Sequence, residues 1–228
     1  MSVLTPELRA EAERVKARYP SGRERSAIMP LLYLAQSVEG QVTREGLREV
    51  AAVLGLTTAE VEAVATFYTM LRLRRTGRHV VAVCTNLSCA LRGANEVYEH
   101  ARETLGVGGE ETTEDGEFTL HEEECLAACD AAPVVAVNFA FFDRMTPDGI
   151  DALIRTLRDG RSPTPTRGRF PGDFRAASRI LAGVDGGPAT GPTPGAEPPP
   201  GGMGGSSSER EGASGSPSGE DASNRGSM

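Results

Sequence analysis

Apolar side chains fall at helical spacing through the first third of the chain. Leu4, Leu8, Ala12, Val15 and Tyr19 share one stripe, and Thr5-Pro6-Glu7 supplies a helix start. Pro20-Ser21-Gly22 ends that helix. A second helix is predicted over Ser26–Val38, apolar almost all round, with Pro30 either kinking it or sitting in its first turn. Thr43 opens a third, carrying Leu47, Val50, Ala51 and Leu54 and closed by Gly55. Thr57-Thr58-Ala59-Glu60 is a capping box for a fourth, through Val61, Val64, Phe67, Tyr68 and Leu71. Short loops between four short helices predict a small bundle over residues 1–75.

The period then changes. His79–Cys84 reads as a strand, Ala90–Leu105 as a helix stopped by Gly106, and 106–116 as a polar loop. Glu117–Glu123 is a second strand. Pro133–Val137 and Ala140–Phe142 make a hairpin turning at Asn138-Phe139, and a final helix runs from Thr146 to Gly160. The order β-α-β-β-β-α puts the first two strands parallel and adds antiparallel ones, a thioredoxin-like α/β outline over 76–160. No Cys-x-x-Cys is present, so thioredoxin's dithiol chemistry is not expected. Residues 161–183 read as an extended arm with Phe170 and Phe174 as apolar points that dock on a partner. From 184 to 228, Gly, Pro and Ser dominate without Leu, Ile, Phe or Tyr, which predicts disorder.

The third and fourth helices could pass for a helix-turn-helix. Residues 58–70 carry no basic side chain, however, and the 228-residue chain has a net charge of −8. Nucleic acid is therefore not an expected partner. No apolar run is long enough to insert in a membrane, and the first residues lack a secretory pattern, so the expected compartment is the cytoplasm. Arg72, Arg74, Arg75 and Arg78 read as a solvated linker, and His79, His100 and His121 as surface or packing residues.

The chemistry lies in the cysteines. All four, Cys84, Cys89, Cys125 and Cys129, occur as two pairs, each following a strand-like run. In a reducing compartment such thiols bind metal more readily than they form disulfides. Two pairs separated by four and three residues suit two thiolates on each iron of a [2Fe–2S] cluster. A Cys₄ zinc site and buried inert thiols stay open as alternatives on spacing alone. Glu122, Glu123, Glu124 and Asp130 beside the second pair would oppose reduction of an anionic cluster and keep its potential low.

Cys84-x₄-Cys89 with Cys125-Leu-Ala-Ala-Cys129-Asp-Ala-Ala-Pro133 resembles the thioredoxin-like [2Fe–2S] component of bacterial NADH:quinone oxidoreductase, the E subunit of respiratory complex I. Tyr19-Pro20, Ser26-Ala-Ile-Met-Pro-Leu-Leu32, Asn138 and Thr146-Pro147 extend the resemblance over roughly residues 5–165. Related subunits occur in NAD-linked hydrogenases and formate dehydrogenases. The resemblance implies one cluster on Cys84, Cys89, Cys125 and Cys129. It also implies a neighbouring flavoprotein that binds FMN and NADH, other peripheral-arm subunits, and a place on the cytoplasmic face of the inner membrane through the complex. This chain shows no nucleotide-binding motif of its own. Ala127 stands where the family usually has Gly, which predicts an ordinary backbone there and a slightly different ligand loop.

Overall fold

The computed structural model describes residues 2–184. Helices α1 (Pro6–Lys16), α2 (Ile28–Glu39), α3 (Arg44–Leu54) and α4 (Thr58–Phe67) form the bundle. Their starts are capped as the sequence predicts: the hydroxyls of Thr5, Thr43 and Thr57 accept from backbone N–H groups three residues on, and Thr57 and Glu60 close a capping box. Pro30 lies in the first turn of α2, where its missing N–H leaves no ladder bond unmade, so it does not kink the helix. Leu31, Leu32, Leu34 and Ala35 are buried because α2 is surrounded by α1, α3, α4 and a helix from the far end of the chain. The Glu49 carboxylate fastens the N-terminal residues, accepting from the Ser2 hydroxyl and from the N–H groups of Val3 and Leu4.

The second half is a four-stranded sheet in the order β2-β1-β3-β4. β1 (His79–Cys84) and β2 (Phe118–Glu123) are parallel, with Cys84 opposite Glu123. β3 (Val135–Val137) and β4 (Ala140–Phe142) form the expected antiparallel hairpin, and β3 also pairs antiparallel with β1. Asn138 and Phe139 occupy its turn, both at positive φ. The predicted helix over Ala90–Leu105 is broken. A single turn, α5 (Leu87–Ala90), is capped by Asn86, and α6 (Ala94–Leu105) starts only after Gly93 at φ +92°. Val81, Val83, Phe118, Leu120, Val135 and Val137 pack on α6 and on α7 (Pro147–Arg158) in one apolar core. His79 lies buried in the sheet. Burial, with Arg78 beside it, pushes its pKa down to about 4, so Nδ1 is free to accept from the Asn138 amide at 3.0 Å.

The arm expected over 161–183 is extended only as far as Asp173. It crosses the hairpin, with Thr166 N–H donating to Phe141 O and the Asn138 amide donating to Gly172 O. Asp173 then caps α8 (Phe174–Leu181), which packs along α2. Phe174 is 1% exposed, so it is an internal packing residue and not the partner-docking point expected of it. Phe170 packs partly on the core of the sheet. The reason is amphipathicity over a short span: Phe174, Ala177 and Ser178 form the buried face of α8, which packs along α2. Gln36, fully buried, joins the pieces: its amide nitrogen donates to Met70 O and Ser178 Oγ, and its oxygen accepts from Arg72 N–H. The tail expected to be disordered lies, Val184 aside, outside the described residues. No single described helix is long and apolar enough to cross a membrane.

Candidate metal centre

Parallel pairing of β1 and β2 brings the two cysteine loops to one end of the sheet. Cys84 is the last residue of β1, and Cys125 follows β2 by two residues. The backbone of Val134 bridges both members of the first pair: its carbonyl accepts from Cys84 N–H at 3.1 Å, and its N–H is directed to the Cys89 sulfur. Cys89 sits on α5 at 2% exposure and Cys84 at 3%. Around them Ala94, Ala128, Ala132 and Val134 form a small apolar pocket, with Leu126 and Phe141 at its margin. Burial pushes the Cys89 thiol up to about 11, helped by the hydrogen-bonded Cys84 thiol and the nearby Cys129.

Cys125 and Cys129 are exposed, on the loop that ends in the short helical turn Cys129–Ala131. The Ala132–Pro133 peptide that follows is cis. Ala127 takes φ +54°, not the ordinary backbone expected from its side chain. This left-handed turn aims its N–H back at the Cys125 sulfur, 3.3 Å away. The family's usual glycine meets the same geometric demand without a Cβ. Left-handed alanine costs about 1–2 kcal/mol, part of which glycine returns through its freer unfolded chain. Ala127→Gly is therefore expected to stabilise the chain by about 0.5–1 kcal/mol, read as a higher urea midpoint.

The acids around this loop are partly matched, contrary to a simple count of charges. Asp130 lies 3.3 Å from Arg167, and Glu123 pairs with His121 and Arg72. Glu122 accepts from the Thr85 hydroxyl, and the Glu124 carbonyl accepts from the Cys84 thiol at 3.8 Å. Arg72 is thus not part of a solvated linker, since only 13% of its side chain is exposed. The backbone donors at Ala127 and Val134 left no trace in residue type, because any non-proline residue supplies an N–H.

The candidate donors are four thiols on two loops. The three histidines are engaged elsewhere, His79 with Asn138, His100 with Asp151, and His121 with Glu110 and Glu123. No three His, Cys, Asp or Glu side chains among the described residues close around a single ion. Structural zinc asks for four sulfurs about 2.3 Å from one centre. Two thiol pairs, each met by a backbone N–H, suit a two-iron group better.

The sequence matches the thioredoxin-like [2Fe–2S] ferredoxin family over residues 12–158. The E subunit of NADH-quinone oxidoreductase from Mycobacterium tuberculosis is 50% identical over 177 residues, 78% of this chain and 69% of that protein. Its counterpart from Thermus thermophilus, the NADH-quinone oxidoreductase subunit numbered 2, is 41% identical over 150 residues, 65% of this chain and 83% of that protein. Among solved structures, an H2-reduced NAD+-reducing [NiFe]-hydrogenase superposes with TM-score 0.54 at 20% identity, over 59% of this chain and 22% of that chain, a likeness of fold. The chain belongs to the thioredoxin-like [2Fe–2S] ferredoxin family, whose members carry a [2Fe–2S] cluster, and within it to the E subunits of NADH-quinone oxidoreductase.

Proposed function

We propose that this chain is the one-electron carrier of an NADH-quinone oxidoreductase, with one [2Fe–2S] cluster held by Cys84, Cys89, Cys125 and Cys129. Its partner is the flavoprotein subunit that binds NADH and FMN, together with other peripheral-arm subunits, on the cytoplasmic face of the membrane. The observation that carries this reading is the parallel β1–β2 pair, which delivers two cysteine loops to one edge of a sheet. When bound, such a cluster supplies a site that takes and gives up single electrons, which lets a flavin's electron pair be divided.

The chain's own residues then have definite tasks. The Ala127 N–H donates to the Cys125 sulfur, and the Val134 N–H is directed to the Cys89 sulfur, where such donors would orient ligand thiolates. The apolar pocket excludes water from the first pair, while the exposed second pair faces outward. The raised Cys89 pKa means that cluster loading displaces a proton there.

The test is anaerobic purification followed by metal analysis and EPR after dithionite reduction. Iron and acid-labile sulfide in equal amounts, with a reduced-state signal, are expected. A colourless zinc-loaded protein would overturn the assignment.

A further inference from the structure

Six of the seven most exposed large apolar side chains among the described residues lie in one stretch: Phe67, Tyr68, Met70, Leu73, Leu87 and Leu91. The same stretch, from Ala63 to Asn95, contains no Asp or Glu, although the chain as a whole carries −8. It contains five arginines and both members of the first cysteine pair. Phe67 is 76% exposed at the end of α4, edge-on to Tyr68 at 5.0 Å. Leu87 and Leu91, four residues apart, flank Cys89 on and just after α5. Aromatic, Met and Arg side chains exposed together mark protein contact surfaces.

The loop after α4 reaches the cysteine end of the sheet. The Thr69 hydroxyl and the Arg72 guanidinium both meet Glu123, the register partner of Cys84. Beside them is a pocket of about 280 Å³, lined by Thr69, Arg72, Arg74, Arg75 and His121 and by one acid, Glu110, among others. The buried Arg72 Nε–H finds no acceptor among the described residues. Arg74 and Arg75 are exposed at its rim. Arg72 itself is matched by Glu123 and Glu110, so a carboxylate seated at the rim would pair with Arg74 and Arg75, the exposed cations there.

We infer that this surface is where the flavoprotein subunit docks, inserting an acidic side chain flanked by apolar ones between the Phe67–Leu73 patch and the arginines. The inference rests on the carrier reading above and adds the face and the chemistry of the contact. Electrostatics favours this occupant over a second copy of the chain, which would set the exposed Arg74 and Arg75 against themselves.

Co-expression of the full-length chain with its flavoprotein, followed by gel filtration, tests it. Phe67→Ser with Arg75→Glu is expected to cut the retained flavoprotein at least tenfold, with iron content and melting temperature unchanged; Arg75→Lys should largely keep it. Equal retention by wild type and double variant would overturn the docking face alone. A wild-type chain that retains no flavoprotein would overturn the partner reading as well. A wild-type dimer that the double variant breaks would assign the face to a second copy, against the inference.

Discussion

Replacing Cys89 with alanine empties the chain of iron and acid-labile sulfide while leaving its far-UV circular dichroism in place. Cys89 is the most enclosed of the four thiols, at 2% exposure, in an apolar cluster with Cys84, Ala94, Ala128, Ala132 and Val134. No side-chain oxygen or imidazole in that pocket can replace the missing sulfur, and water has little room to do so. The fold should survive, because the large apolar core lies on the other side of β1, between the sheet and helices α6 and α7. Removing one small buried side chain costs on the order of 1–2 kcal/mol. Inductively coupled plasma analysis together with visible absorption reads the result. A Cys89→Ala protein that kept its full iron and sulfide would remove Cys89 from the ligand set.

Phe174→Ala should cost about 3–5 kcal/mol, making it the most damaging single change to stability considered. Its ring is 1% exposed, packs 5.5 Å from Phe139, and begins the helix that covers α2. For a chain of this size about 2–4 °C is lost per kcal/mol, so a fall of roughly 6–20 °C in melting temperature is expected. Phe174→Leu keeps most of the volume and should lose much less. Were Phe174 a docking residue, as its place in a polar segment first suggests, the isolated Phe174→Ala chain would melt unchanged.

What the sequence displayed well was local and chemical. Caps at Thr5, Thr43 and Thr57 use side chains three residues from their targets, so the pattern carries the geometry. The strand-like runs of β1 and β2 were legible, and the structure brings the cysteine pairs that follow them to one end of the sheet. What stayed hidden depended on distant partners. Ala127 adopts a left-handed backbone in the loop where its N–H meets the Cys125 sulfur, and residue type argued the other way. Arg72 looked solvated among neighbouring arginines, yet Glu123 and His121 come to it from 51 and 49 residues away (123 minus 72, 121 minus 72). The short α8 lies at the end of a polar stretch, and its apolar face has something to cover because α2 lies alongside it.

The hydrogen bond from Gln36 to Ser178 spans 142 residues. During translation, α2 emerges early and waits with one flank bare until the ribosome has added residues as far as α8. Whatever seals that flank arrives only after the cysteine loops have been made. Completion of the first module is thereby timed to follow the second, so a nascent chain truncated before α8 should expose apolar helix to chaperones even when its sheet is formed.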